Sequence, residues 1–220
     1  MSAEAASEAR SVLDPVERMS EVLFGLIMAL TFTGSISAVS AGREEIRTML
    51  IGALGCNLAW GIVDAIMYLI TTLTLRGRSL AIVREVRRTT DPAVARGAIA
   101  GVLPPLVAQL LRPSDYEYLH GKIHDMRDMP DRARLGASDL RGAAGVFLLV
   151  FTSTFPLVVP FLVMSDPVRA LRFSHGIALG MLFLVGHRLG RFAGDRPWTM
   201  GMAMVAVGLL LVALTIVLGG

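Results

Sequence analysis

The chain is poor in cysteine and in charged residues. Its single cysteine, Cys56, excludes an internal disulfide and a cysteine-rich zinc site. Charged residues make up 18% of the chain and hydrophobic residues 54%, whereas an average soluble domain has about 25% charged residues. No Ser-His, paired-Asp or zinc-protease motif occurs, so we do not expect an enzyme. The composition predicts an integral membrane protein.

Five stretches of the sequence carry few or no charges. Most have the roughly 17 to 25 residues that a helix needs to cross a bilayer. The fourth reaches that length when Arg172 and Arg188 at its two ends extend to the interface. The stretches are 22–42, 48–75, 142–165, 173–187 and 197–220. We therefore predict an all-α membrane protein with five transmembrane helices and a helical insert between helices 2 and 3.

Basic residues are distributed unevenly over the predicted loops. Of the 21 Lys and Arg residues, 17 lie in segments that face one side of the membrane. The positive-inside rule places this side, with the N-terminus and the insert, in the cytoplasm and the C-terminus outside. The predicted parts are a cytoplasmic N-terminal segment 1–19, transmembrane helices 1 and 2 in 20–75, the cytoplasmic helical insert 76–141, and transmembrane helices 3 to 5 in 142–220.

One uncharged run inside the insert is too short to be a sixth span. Residues 97–111 include Pro104 and Pro105, and letting the run cross would place basic residues outside, against the charge rule. We predict a buried cytoplasmic helix or pair of helices. Asp91 with Pro92, and Pro113, are predicted helix starts.

Asp64 is the only charged residue in a 28-residue stretch. A charge at the centre of a spanning helix costs about 2.5 to 3.5 kcal/mol and usually faces an ion path or a partner. Seven residues separate Glu21 from Met28 and Asn57 from Asp64, so each pair lies on one helix face, and Met67 follows Asp64 by one turn. Two carboxylates, an amide and two thioethers suit a divalent transition metal such as Fe²⁺ or Mn²⁺.

Structural roles are the alternatives for these residues. A methionine commonly fills a core, and Met28 and Met67 are two of twelve methionines. Glu21 lies near the end of its span, where water reaches a side chain, and Asp64 has the alternative of a structural pair with Asn57 or an arginine.

The third span contains hydroxyl side chains followed by two prolines. Thr152, Ser153 and Thr154 precede Pro156 and Pro160. Each proline removes a backbone donor, and freed carbonyls are tolerated at membrane depth where they face protein or a water-filled cavity. We predict a broken helix that lines an ion path, with a kinked packing helix as the alternative.

Two further patterns point to metal contact and to helix packing. Glu117, His120 and His124 have the spacing for a metal contact on one face of a cytoplasmic helix, with a solvated polar face as the alternative. Five glycines around the fourth span contain three GxxxG spacings, which allow tight helix packing or dimerisation. These glycines are Gly176, Gly180, Gly186, Gly190 and Gly194.

The order of these parts is similar to that of a known transporter family. Two spans precede the cytoplasmic insert, three follow it, and the segment FGLIMALTFTGSISA opens the first span. The segments from Ser153 to Pro160 and from Ala178 to Gly186 add to the similarity. The chain resembles the vacuolar iron transporter family, including its bacterial members.

This resemblance implies a dimeric exporter of Fe²⁺ or Mn²⁺ in a bacterial inner membrane, coupled to protons through its carboxylates. Membrane lipid, a divalent metal ion and a second copy of the chain are the expected partners, with no nucleic acid and no permanently bound cofactor. The insert differs from the family's glutamate-rich pattern, since its only glutamates are Glu85 and Glu117. The second hypothesis is a non-transporting membrane scaffold or sensor that works through the basic insert, which could bind anionic headgroups or a protein.

Overall fold

A computed structural model describes residues 15–34, 43–126, 129–194 and 196–219. Within these ranges the chain is helical and has no strand. The helices are α1 Pro15–Gly34, α2 Arg43–Arg88, α3 Pro92–Ala100, α4 Pro105–Leu110, α5 Pro113–His124, α6 Ala137–Ser153, α7 Phe155–Val163, α8 Pro167–Ala193 and α9 Pro197–Gly219. Residues 1–14 of the predicted N-terminal segment, and residues 35–42 at the end of the predicted first span, lie outside the described ranges.

Four of the described helical stretches are long and apolar enough to cross a membrane, which indicates an integral membrane protein. They correspond to predicted spans two to five, and the second of them, predicted span three, combines α6 with α7. Their bounds are Glu44–Arg88, Ala137–Val163, Pro167–Ala193 and Pro197–Leu214. Residues 22–34 of the predicted first span belong to α1, which has 20 residues.

The chain forms two compact units. The first consists of Met1–Tyr68 and Ala137–Gly220, and the second of Leu69–Gly136, a slightly different division from the predicted insert 76–141. Helix α2 contributes to both units, because it continues without a break past residue 76 to Arg88. Its last turn carries Arg87 and Arg88, whose charges suit the negative end of the helix dipole.

Helix α1 lies at the centre of the first unit. It packs against α6, α8 and α9, and its side chains Leu26 and Leu30 are completely buried. They form a core with Leu157 of α7 and with Ala178 and Leu182 of α8. The helix that carries Glu21 is therefore held by apolar contacts with three other predicted spans.

Helices α8 and α9 pack closely through two of the predicted glycines. A Cβ atom on Gly186 would lie 2.6 Å from Cγ of Met204, and one on Gly190 would lie 2.8 Å from Cα of Pro197. The prediction of tight packing is confirmed at these two positions. Gly176 and Gly180 differ from them, since a Cβ atom at either position would meet no described atom within 4 Å.

The second unit has its own small core of Val86, Ala95, Ile99 and Tyr116. Oδ1 of Asp91 accepts a hydrogen bond of 2.8 Å from the amide of Ala93, so the predicted cap of α3 is confirmed. Helix α5 begins at Pro113 as predicted.

The uncharged run 97–111 forms the end of α3 and all of α4, which agrees with a pair of helices. The expectation that this run is buried is wrong for α4. Leu106 is 76% exposed and Leu110 is 81% exposed, because α4 has only six residues and no side chain of this helix enters the core of the unit.

Candidate functional site

A pair of carboxyl groups lies between α1 and α2. The side chains of Glu21 and Asp64 lie near each other, so their carboxyl groups interact electrostatically. One turn along the helices, the rings of Phe24 and Trp60 meet edge to face with centroids 5.4 Å apart. An ionised carboxylate offers only acceptors, so a hydrogen bond between two carboxyl groups requires one shared proton. Oδ2 of Asp64 is buried without a hydrogen-bond partner among the described residues, which leaves an acceptor oxygen for a cation.

A second group of polar side chains, Asn57 of α2 and Thr154, lies apart from the carboxyl pair and is called the Asn57 level. Asn57 is 1% exposed. Its Nδ2 donates to the carbonyl oxygen of Gly25 at 3.2 Å and to Oγ1 of Thr154 at 2.8 Å. The Thr154 hydroxyl in turn donates to the carbonyl oxygen of Phe151 at 2.7 Å. Oδ1 of Asn57 is buried with no hydrogen-bond partner in the described part of the chain. Asn57 therefore connects α1, α2 and the break between α6 and α7.

The five residues predicted to form one metal site do not meet at one point. Asn57 and Asp64 are seven residues apart on α2, which is about 10 Å along the helix axis, as is the separation of Glu21 from Met28. A bond from a divalent metal to oxygen is only about 2.0 to 2.6 Å long, so one ion cannot contact both levels. Met28 is partly buried, and Met67 is 53% exposed, which leaves its thioether on the outer surface of the unit.

The break in the third predicted span occurs where the prolines predicted it. Helix α6 ends at Ser153 and α7 begins two residues later, and Pro156 has no N–H to donate to the carbonyl of Thr152. Pro160, inside α7, is buried. The break thus lies beside the Asn57 level rather than beside the carboxyl pair.

The three hydroxyl residues at the break have different surroundings. Thr152 is exposed and donates to the carbonyl oxygen of Leu148 at 2.6 Å. Ser153 and Thr154 are buried, and Ser153 donates to the carbonyl oxygen of Val150 at 2.7 Å. Of the three hydroxyl residues, Ser153 and Thr154 face the interior, and the Thr154 hydroxyl accepts the hydrogen bond from Asn57. The interior hydroxyl groups of the candidate path are therefore those of Ser153 and Thr154.

The proposed cytoplasmic contact residues on α5 do not form a ligand cluster. Within the described ranges, no three or more His, Cys, Asp or Glu side chains are grouped so that they could hold a metal ion. Glu117 and His124 are exposed and His120 is partly buried. Nδ1 of His124 lies 3.9 Å from Oδ1 of Asp125, an exposed contact typical of a solvated polar face.

The structure adds Gly25 to the residues that matter for the site. A Cβ atom at this position would collide with Oγ of Ser153 and would lie 2.7 Å from the carbonyl oxygen of Val150. The absence of a side chain allows α1 to approach the end of α6. A signal was present in the sequence, because Gly25 follows Glu21 by one helical turn, but the sequence does not show which helix lies opposite.

We expect Asn57→Ala to lower the free energy of unfolding by about 1 to 3 kcal/mol, since two buried acceptors lose their donor. Thr154→Val removes one of the same bonds, so the double variant should be less destabilised than the two single effects combined. Denaturant unfolding in detergent measures this coupling. Thr31→Val is the matched control, because the exposed Thr31 hydroxyl donates to the carbonyl oxygen of Ile27 in its own helix. Strictly additive effects of Asn57→Ala and Thr154→Val would contradict the connection.

Comparison with known proteins finds no family model that matches the chain and no curated protein with significant sequence similarity. The resemblance to the vacuolar iron transporters therefore stays a prediction.

Proposed function

We propose that the chain is a secondary transporter that moves a divalent transition-metal ion, Mn²⁺ or Fe²⁺, out of the cytoplasm in exchange for protons. The observation that supports this most strongly is the carboxyl pair Glu21 and Asp64, which interact within the bundle of apolar helices. An ionisable residue at membrane depth is costly, and such residues commonly mark an ion or proton path. A purely structural pair would not need the buried, unpartnered Oδ2 of Asp64.

The proposed chemistry is an exchange of the shared proton for the metal ion. In the proton-loaded form, one carboxyl group donates to the other. An arriving divalent ion takes oxygens of both carboxylates and releases the proton, so the ion finds two negative charges in place of part of its water shell. Return of a proton restores the hydrogen bond and expels the ion.

The Asn57 level provides a second position on the same route. Oδ1 of Asn57 and Oγ1 of Thr154 are buried oxygens, about 10 Å along α2 from the carboxyl pair. Neutral oxygens bind a divalent ion more weakly than carboxylates do. An ion that reaches the Asn57 level is therefore bound transiently and released readily. The break at Thr154 is where α6 and α7 can move with respect to each other.

The donor set favours manganese of the two candidate metals. With Met67 on the outer surface and Met28 two turns from Glu21, the donors at the carboxyl pair are oxygens. Carboxylate and carbonyl oxygens suit Mg²⁺, Ca²⁺ and Mn²⁺, whereas thioethers select softer ions. We infer that Mn²⁺ is carried at least as well as Fe²⁺.

The proposed topology has five spans, with the N-terminus and the insert in the cytoplasm of a bacterial cell and the C-terminus outside. Its support is the bias of basic residues, 17 of 21 on one side. The open positions Gly176 and Gly180 on α8 are compatible with the close approach of a second copy in a homodimer.

Flux through reconstituted protein tests the proposed function. We expect liposomes with the purified chain to take up Mn²⁺ faster than protein-free liposomes, with proton movement in the opposite direction. A metal-quenched dye and a pH-sensitive dye inside the liposomes measure the two fluxes. Uptake of both Mn²⁺ and Fe²⁺ at the protein-free rate would overturn the proposal and favour the membrane scaffold instead.

A further inference from the structure

A groove in the second unit combines arginine side chains with an apolar wall. It has an open volume of about 620 Å³. One wall is the part of α2 from Leu75 to Val83, and the other is the irregular segment 130–134 that follows α5. The described lining includes three arginines and no acidic side chain. They are Arg76, Arg132 and Arg134.

The segment that forms the second wall is fixed to α2 by its backbone. Nη1 of Arg76 donates to the carbonyl oxygen of Arg134 at 2.8 Å. Nη2 of Arg84 donates to the carbonyl oxygen of Pro130 at 3.3 Å and to that of Asp131. Because these bonds use carbonyl oxygens, the side chains of Arg132 and Arg134 are not required to hold the wall. Both side chains are exposed.

The position of the groove along α2 indicates its depth relative to the membrane. Leu75 is the last residue of the uncharged stretch 48–75, and Arg76 is the first basic residue after it, on the same unbroken helix. The groove continues to Val83, about 12 Å further along the axis. A position just beyond the apolar part of a spanning helix is where phospholipid headgroups are found.

We propose that this groove binds the headgroup of an anionic phospholipid. Arginine pairs with phosphate through two parallel hydrogen bonds, and Arg132 and Arg134 supply the charge for it. Leu75, at the end of the groove nearest the apolar stretch, provides an apolar surface for the first part of the acyl chains. Basic pockets on the cytoplasmic side of a membrane protein are typical sites for anionic headgroups. This inference does not depend on metal transport.

Lipid binding to the full chain in neutral detergent tests the inference. The probe is phosphatidylglycerol, compared with phosphatidylcholine of the same acyl chains, with bound lipid counted by native mass spectrometry. We expect saturable binding of phosphatidylglycerol that is about tenfold weaker in the double variant Arg132→Ala/Arg134→Ala. The matched control is Arg96→Ala/Arg112→Ala, which removes the same charge from exposed positions of the same unit outside the groove and should bind like the wild type.

Three outcomes would overturn the proposal. The first is equal binding by the groove variant and the control variant, which would indicate diffuse attraction to the basic insert. The second is equal binding of phosphatidylcholine. The third is displacement of the lipid by inorganic phosphate at the same concentration, which would assign the groove to a soluble anion. A circular dichroism spectrum unchanged from that of the wild type confirms that each variant is folded.

Discussion

Asp64→Asn should reduce Mn²⁺ flux in proteoliposomes to the rate of protein-free liposomes. The substitution keeps the shape of the side chain but removes one of the two charges that the proposed exchange requires. With a single carboxylate, Glu21, the site has neither the charge to balance a divalent ion nor a proton shared between two acids. The new amide can still donate a hydrogen bond to Glu21, so the variant should fold as the wild type does.

The matched control for this experiment is Asp166→Asn. Asp166 caps α8, with Oδ1 accepting bonds of 2.9 Å and 3.3 Å from the amides of Val168 and Arg169, and asparagine caps a helix about as well as aspartate. The Asp166→Asn variant should therefore transport Mn²⁺ at the wild-type rate. Glu21→Gln should behave like Asp64→Asn. If Asp64→Asn transports as the wild type does while the wild type shows flux, the carboxyl pair is not the site, even though the transport function stands.

Gly25→Ala should markedly lower the stability of the first unit. The added Cβ atom would collide with the Ser153 hydroxyl and would lie 2.7 Å from the carbonyl oxygen of Val150. The serine side chain can rotate, but the backbone carbonyl cannot move without α6. Overpacking of this kind costs about 1 to 3 kcal/mol. The same displacement would separate Gly25 from Asn57, so transport should fall as well.

The midpoint of thermal unfolding in detergent, monitored by size-exclusion chromatography, measures this loss of stability. Gly55→Ala is the control on α2, because a Cβ atom there meets no described atom within 4 Å, and alanine favours a helix over glycine by about 1 kcal/mol. Gly55→Ala should unfold at or above the wild-type temperature and Gly25→Ala well below it. Adding Ser153→Ala to Gly25→Ala should restore only part of the stability, because Val150 remains. Equal midpoints for the two glycine variants would show that α1 and α6 are less closely packed than described.

The chemical character of the site could be predicted from the sequence better than its geometry. Asp64 stands out because the apolar stretch around it makes any charge expensive. The spacing of Asn57 and Asp64 predicted a shared helix face, and both side chains lie toward α1. The same spacing puts Asn57 and Asp64 about 10 Å apart along α2, so a shared helix face does not bring both side chains to a single ion. The outward position of Met67 depends on which helices cover α2, and that information lies in tertiary contacts.

For the fold as well, some features could be predicted from the sequence and others depend on tertiary contacts. Long apolar runs and proline positions predicted most of the helices and the break near Thr154, since backbone hydrogen bonding at membrane depth leaves little choice. The extent of α2 was not predictable from hydropathy, because a helix does not end where its side chains become charged. The exposure of α4 was missed for a related reason. Apolar composition predicts burial on average, whereas Leu106 and Leu110 belong to a helix too short to reach the core of its unit.

The carboxyl pair has an electrical consequence under the proposed function. With its single shared proton the pair has a charge of −1, and with a divalent ion and no proton it is neutral. One cycle therefore exports two positive charges and imports one, so a net positive charge leaves the cell at every turnover. A membrane potential acts on that charge with about 2.3 kcal/mol per 100 mV. An interior-negative voltage slows this exporter, and depolarising the membrane accelerates it.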